Sequence, residues 1–114
     1  MKHSALKVRE SDILRSILHF CTIHPVVVFV RRMNVGAHQT NDGRYVRFGF
    51  KGCSDLVGML RDGRFLAIEV KGPRGKPTPE QIDFLAMVRT GGGVAFIARS
   101  IGDCKVILDS MLRR

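Results

Sequence analysis

The chain has 114 residues and a formal charge of +9 at pH 7, because 19 lysines and arginines stand against 10 aspartates and glutamates. This length predicts one compact domain over residues 1–114 and excludes a catalytic domain joined to a separate recognition domain. The charge favours a polyanionic partner, with nucleic acid as the first candidate.

Apolar residues at helical spacing from Arg9 to Thr22 predict a first, amphipathic helix. Glu10 shares the inward face of this helix, at the N-terminal end where the helix dipole tolerates a carboxylate. It is either a first-turn acid of the helix or a third carboxylate of a functional site, and the sequence leaves both interpretations open. The run Val26–Val30 predicts the first strand.

Turn-forming residues dominate the stretch after this strand. We expect Thr40–Arg44 to form an exposed, substrate-facing loop. A bend at Gly49 and Gly52 then precedes a second strand, which begins near Asp55.

A hairpin is predicted between the second and third strands. Asp62-Gly63 supplies the turn, and Phe65–Val70 forms the third strand. Asp55 and Glu69 therefore lie at the same end of two paired antiparallel strands.

The second half of the chain predicts a helix, a strand and a helix. Thr78 is a helix N-cap, and Gln81 stands where a capping-box side chain reaches back to it. This helix runs to about Arg89, a buried strand follows at Val94–Ala98, and apolar residues from 106 to 112 suit a final helix. The order α-β-β-β-α-β-α indicates an α/β fold.

The motif Glu69-Val70-Lys71 closes an apolar strand. Glu69 and Lys71 project from the same face, and burying them is costly unless they pair with each other, a metal or a ligand. Asp55 and Glu69 offer the hard oxygens that Mg²⁺ prefers, while Lys71 can hold a water or steady charge on a phosphate. The tripeptide alone also occurs on the solvent face of ordinary strands, so the residues around it decide between that interpretation and a functional site.

Positive charge flanks this motif. Arg74 and Lys76 follow it closely. The stretch from residue 31 to residue 51 precedes it and has one acidic residue, Asp42, against five basic residues, Arg31, Arg32, Arg44, Arg47 and Lys51. Such a surface is typical of proteins that hold phosphates near a metal. A positive charge that only keeps the protein soluble would give the same sequence pattern.

The remaining composition favours a reducing compartment. Cys21, Cys53 and Cys104 are odd in number and far apart, and no Cys or His spacing suggests zinc. The longest apolar run is too short to span a bilayer, and no signal-type segment stands at the N-terminus. We expect an intracellular, cytoplasmic protein of a bacterium or a phage-infected host, with no membrane association.

Together these features resemble the virus-type replication-repair nuclease (VRR-NUC) family of the PD-(D/E)XK superfamily, over about residues 10 to 112. The resemblance rests on four motifs in the expected order, Arg32-x-Asn34-x-Gly36, Arg47-Phe48-Gly49-x-x-Gly52-x-x-Asp55, Ile68-Glu69-Val70-Lys71-Gly72-Pro73-Arg74-Gly75 and Thr78-x-x-Gln81. Residue 54 is serine where the superfamily often has proline. The resemblance implies a restriction-endonuclease-like α-β-β-β-α-β core with a mixed central sheet flanked by helices.

It also implies roles for particular residues. Asp55, Glu69 and the Val70 carbonyl would hold Mg²⁺ or Mn²⁺, and Lys71 would position or activate the attacking water. Glu10 would serve a second ion or orient groups near it, and Gln81 would support Lys71 or contact the scissile phosphate. The implied DNA contacts are Arg32, Asn34, Arg47, Arg74 and Lys76.

The expected activity is that of a metal-dependent DNA endonuclease selective for branched DNA or four-way (Holliday) junctions. A non-catalytic DNA-binding module and a small basic structural protein are the alternatives. Because two strands or two junction arms need two active sites, we expect a homodimer. Compactness and the resemblance favour a phage or mobile-element origin.

Overall fold

The computed structural model describes residues 9–33 and 36–112. Helices and strands alternate along the chain as α1 (Glu10–Thr22), β1 (Val27–Arg32), β2 (Gly36–Gln39), β3 (Tyr45–Phe48), β4 (Leu56–Leu60), β5 (Phe65–Val70), α2 (Pro79–Thr90), β6 (Val94–Ala98) and α3 (Ile101–Asp109). The predicted limits of β5 and β6 are confirmed. Strand β1 continues two residues past the predicted apolar run, because its two terminal arginines still pair with β4.

Four of the strands form a mixed sheet in the order β1-β4-β5-β6. The pairs β1–β4 and β4–β5 are antiparallel, whereas β5 and β6 are parallel and are joined through α2. A parallel pair needs such a crossover, which a helix usually supplies. The predicted α/β fold, a restriction-endonuclease-like core with a mixed sheet flanked by helices, is confirmed.

Strand β5 is an inner strand with both faces covered. Leu66, Ile68 and Val70 pack into the main core with residues of α1 and α3, whereas Ala67 packs with Leu85 of α2. Since successive side chains alternate between faces, Glu69 lies on the Ala67 side of the sheet, which α2 covers.

The stretch between β1 and β4 differs from the expected loop. It forms a two-stranded antiparallel hairpin, in which Gly36 pairs with Phe48 and Gln39 pairs with Tyr45. Thr40–Arg44 is the exposed connection of this hairpin, as predicted, but the two strands were missed. Neither strand shows the alternation of apolar and polar residues that marks a strand packed on a core.

The β2–β3 and β4–β5 turns have the same sequence, Asp-Gly-Arg, and the same local structure. Gly43 and Gly63 adopt φ of 89° and 91°, a region that favours glycine. In both turns the aspartate accepts from the arginine backbone N–H and from Nε, the latter at 3.1 Å for Asp42–Arg44 and 2.8 Å for Asp62–Arg64. The two turns differ in their surroundings. The first connects the strands of the separate β2–β3 hairpin, and the second connects two strands of the four-stranded sheet.

Helix α3 ends at Asp109, earlier than the apolar pattern predicted. Met111 and Leu112 belong to a turn in which each amide donates to a carbonyl three residues earlier. Buried His24 donates from Nε2 to Asp109 Oδ1 at 2.9 Å, which ties this end of α3 to the α1–β1 corner. Within residues 9–33 and 36–112, no helix is long and apolar enough to cross a membrane.

Candidate active site

Glu69 and Lys71 meet at the carboxyl end of β5. Lys71 Nζ lies 3.3 Å from Glu69 Oε2, and the side chains of Lys71 and Glu69 are only 13% and 2% exposed. Glu69 Oε1 is buried and has no hydrogen-bond partner among the described residues. A buried carboxylate oxygen without a partner is costly, and Lys71 satisfies only one side of the group.

Asp55 joins this pair from the neighbouring strand. Its Oδ2 accepts a 2.8 Å hydrogen bond from the Val70 backbone N–H, which holds the carboxylate against the end of β5. Its own carbonyl accepts from Met33 N–H at 2.7 Å, which ties the end of β1 to the same point. The expectation that Asp55 and Glu69 lie at the same end of paired strands is confirmed.

The pKa of Glu69 is raised from its ordinary value near 4.5 to about 7. Burial is the largest cause and the charge of Asp55 is the second, while Lys71 opposes both. Without another cation, the site therefore holds a proton more tightly than an exposed glutamate does.

Two residues beside the site were not singled out from the sequence. Cys53 is buried, and burial together with the charges of Glu69 and Asp55 raises the pKa of its thiol. Arg99 donates from Nη1 to the Gly72 carbonyl at 2.7 Å, which holds the chain just after Lys71. The only sequence signals were the position of Cys53 two residues before Asp55 and that of Arg99 directly after β6.

Glu10 approaches the site from α1. It is exposed in the first turn of the helix, and Gly72 lies so close that a Cβ built there would be 3.9 Å from the Glu10 Cβ. Among the described residues, no three His, Cys, Asp or Glu side chains are grouped closely enough to hold a metal. Glu10 is thus beside the loop that follows Lys71, and it does not complete a three-acid cluster with Asp55 and Glu69.

Gln81 forms the capping box of α2. Its Oε1 accepts from Thr78 N–H at 2.9 Å, and its own N–H donates to Thr78 Oγ1 at 3.1 Å. The capping role predicted for Gln81 is therefore confirmed, and its side-chain oxygen already accepts a hydrogen bond.

The basic residues proposed to contact DNA are partly described. Arg32, Arg74 and Lys76 are exposed, and Arg32 lies at the end of β1 opposite Leu56. Asn34 and the side chain of Arg47 lie outside the described part of the structure. The exposed three place positive charge at the end of the sheet that carries the carboxylates.

The segment before Asp55 is held against α2 at Gly52. Gly52 has φ of 90°, and a Cβ built there would lie 2.5 Å from the Glu80 carbonyl oxygen. The neighbouring Lys51 forms a 3.5 Å ion pair with Glu80, and Phe50 packs edge-on against Phe84. These contacts set the position from which the chain enters β4.

We expect Gly52→Ala to destabilise the protein by about 3 kcal/mol, since left-handed strain and overlap with backbone add together. Gly63→Ala is a matched control, because Gly63 has φ of 91° and nothing within 4 Å of the added carbon. This control should lose only about 1 kcal/mol. Urea unfolding measures both values, and equal losses would mean that the contact with Glu80 is unimportant.

The donor set at this site fits a divalent cation. Asp55 and Glu69 supply hard oxygen ligands, and the unpartnered Glu69 Oε1 lacks the positive neighbour that its burial demands. Since no third acidic side chain of the described residues joins them, the remaining ligands would be the Val70 carbonyl, water or substrate oxygens. Mg²⁺ commonly keeps several such ligands.

Fold and site together define an α/β domain with a restriction-endonuclease-like core and an acid–acid–lysine cluster at one end of its sheet. The family model of the VRR-NUC domain matches residues 10–101 of the chain. The chain therefore belongs to the VRR-NUC family, which makes it a nuclease domain with DNA as its substrate. Searches of curated proteins and of solved structures returned no significant match.

Proposed function

We propose that this nuclease domain is a divalent-metal-dependent DNA endonuclease that uses Mg²⁺ or Mn²⁺. The observation that carries the proposal is the buried Glu69 carboxylate, which has one oxygen without a partner among the described residues and lies beside Asp55 and Lys71. A structural ion pair with Glu69 would explain the presence of Lys71. It would not explain Asp55, a second carboxylate whose charge raises the pKa of Glu69.

Asp55, Glu69 and the Val70 carbonyl would hold the cation, with Glu10 near a second ion or orienting groups beside Gly72. When bound, the cation supplies positive charge that polarises a phosphodiester and makes water a better nucleophile. Lys71 Nζ donates hydrogen bonds to the attacking water or to a phosphate oxygen, where negative charge grows during hydrolysis. Gln81 is a supporting residue at most, because its side-chain oxygen caps α2.

Lys71→Met should lower kcat by about a hundredfold or more, the usual worth of a positioned proton donor or acceptor. Metal affinity should not fall, since the variant removes a cation that competes for Glu69. Lys76→Met is the matched control; Lys76 is exposed in the neighbouring loop, so its loss should raise KM and leave kcat near wild type. Weaker Mn²⁺ binding by Lys71→Met with unchanged kcat would contradict the role given to Lys71.

We further propose that the substrate is branched DNA, such as a four-way junction, and that the enzyme acts as a homodimer. A domain of this size covers about one face of a duplex, so paired cuts need two copies. The edge strand β1 exposes Val28 and Phe29, at 44% and 41%, which supports an interface on that strand. A monomer by light scattering would favour nicking of one strand instead.

The test uses wild type and Glu69→Gln with labelled single-stranded, duplex, flap and four-way-junction DNA, with and without Mg²⁺ or Mn²⁺. Metal-dependent cutting that the variant loses supports the proposed activity, and a preference for the junction supports the proposed substrate. Cutting by wild type in chelator would overturn the metal requirement. Binding without cutting in every condition would favour a non-catalytic DNA-binding module.

A further inference from the structure

The tip of the β2–β3 hairpin, residues 39–45, belongs to neither core cluster. Its strands pair with each other, and among the described residues neither pairs with the four-stranded sheet. From Gln39 to Tyr45 every residue is exposed except the half-buried Thr40. A two-stranded hairpin alone is marginally stable in water, so an element of this kind gains stability when a partner covers it.

Both ends of the hairpin leave from the end of the sheet that carries the carboxylates. Met33, whose N–H donates to the Asp55 carbonyl, is three residues before the start of β2. Phe48 ends β3 seven residues before Asp55. Both strands of the hairpin are therefore connected to the rest of the chain within a few residues of this end of the sheet.

The tip of the hairpin exposes side chains suited to a polyanion. The Arg44 side chain is 82% exposed, and Tyr45 is 74% exposed. Residues 31–51 contain five basic side chains and one acidic side chain. Arginine forms paired hydrogen bonds with phosphate, and tyrosine combines a flat apolar ring with a hydroxyl donor.

We infer that the β2–β3 hairpin is an arm that enters the groove of duplex DNA next to the phosphodiester to be cut. This inference rests on the proposed function. A two-stranded ribbon fits the major groove, which is about 12 Å wide, and four residues per strand give a reach of about 13 Å. The arm recognises duplex, so it selects the paired arms of a substrate over single strands.

The first experiment shortens the arm by replacing residues 39–45 with an Asn-Gly turn. His38 pairs with Val46 directly, so a two-residue type I′ turn can close the shortened ribbon. We expect the Kd for duplex DNA to rise about tenfold or more, the equivalent of one lost charge-assisted contact, with no change for single-stranded DNA. Unchanged duplex affinity would overturn the inference.

Metal-dependent hydrolysis of bis(p-nitrophenyl) phosphate separates the two proposals. This small diester needs the carboxylate site but no arm, so the shortened protein should hydrolyse it at the wild-type rate. If wild type neither hydrolyses the diester nor cuts DNA in the presence of metal, the proposed function fails. If both proteins hydrolyse it and bind duplex equally, only the arm inference fails.

Point variants in the intact arm keep the inference testable if the shortened protein fails to fold. Arg44→Gln should lower the slope of log Kd against log salt concentration by about one, as expected for one lost phosphate contact. Arg64→Gln is the matched control, because Arg64 stands in the same Asp-Gly-Arg turn and pairs with its own aspartate, Asp62, at the opposite end of β5 from the carboxylates. Equal salt slopes for the two variants would overturn the inference. A shortened arm that abolishes dimers but leaves duplex binding unchanged would also overturn it.

Discussion

Glu69→Gln and Asp55→Asn should each reduce DNA cutting at least about a thousandfold, because each removes a charged oxygen ligand worth several kcal/mol to the transition state. Both variants should bind DNA as tightly as wild type or more tightly, since each removes a negative charge near the phosphates. The amides preserve shape, and an asparagine side chain in place of Asp55 would still accept the hydrogen bond from Val70 N–H. Cutting is measured with end-labelled junction DNA in Mn²⁺, and binding with the same DNA in Ca²⁺.

Asp62→Asn is the control for this pair of variants. Asp62 is an exposed carboxylate at the other end of β5, paired with Arg64, and the Asp62→Asn protein should cut at the wild-type rate. Wild-type cutting by either Glu69→Gln or Asp55→Asn would remove the basis for assigning the chemistry to this site.

Glu69 should also make the metal-free protein less stable as pH rises. Its folded pKa of about 7 exceeds its ordinary value, so between about pH 4.5 and 7 the folded state holds a proton that the unfolded state has released. Folding stability therefore falls through this window, by about 3 kcal/mol at most, and the loss is complete above pH 7. Glu69→Gln lacks this loss, so it should be more stable than wild type at pH 8 and similar to it at pH 5.

Urea unfolding in chelator at pH 5 and pH 8 measures this difference, and added Mg²⁺ or Mn²⁺ should stabilise wild type far more than the variant. Asp62→Asn is the control, because the Arg64 backbone N–H lowers the pKa of Asp62 and its carboxylate is therefore charged in the folded and the unfolded state at both pH values. This variant should be less stable than wild type by the same amount at pH 5 and at pH 8. A wild-type minus Glu69→Gln difference that does not change with pH would show that burial imposes no such penalty on Glu69.

The fold is predictable from the sequence where local chemistry sets the backbone. Phe65–Val70 and Val94–Ala98 are apolar runs between turn residues, and both form strands with the predicted limits. Thr78 and Gln81 form the capping box that their spacing predicts. The Asp62-Gly63 turn brings Asp55 and Glu69 to one end of a hairpin, so the centre of the site followed from alternation and turn type.

Other features of the fold leave no apolar pattern or short spacing in the sequence and were not predicted. The sequences of β2 and β3 lack the alternation of apolar and polar residues that identifies a strand with one buried face. The apolar spacing continued to Met111 and Leu112, past the end of α3, although only Met111 packs against the core and Leu112 is 49% exposed in the turn that follows the helix. The approach of Glu10 to Gly72 joins positions 62 residues apart, and only the packing of α1 across the sheet brings them together.

The contrast between β5 and the β2–β3 hairpin has an evolutionary consequence. Every residue from Leu66 to Val70 is buried between two core clusters, so nearly any substitution there alters the global free energy of unfolding. The exposed tip of the hairpin lies outside both clusters, and substitutions there change that free energy little. On the roles proposed above, new DNA preferences can arise by exchanging or lengthening one hairpin while β5 stays unchanged.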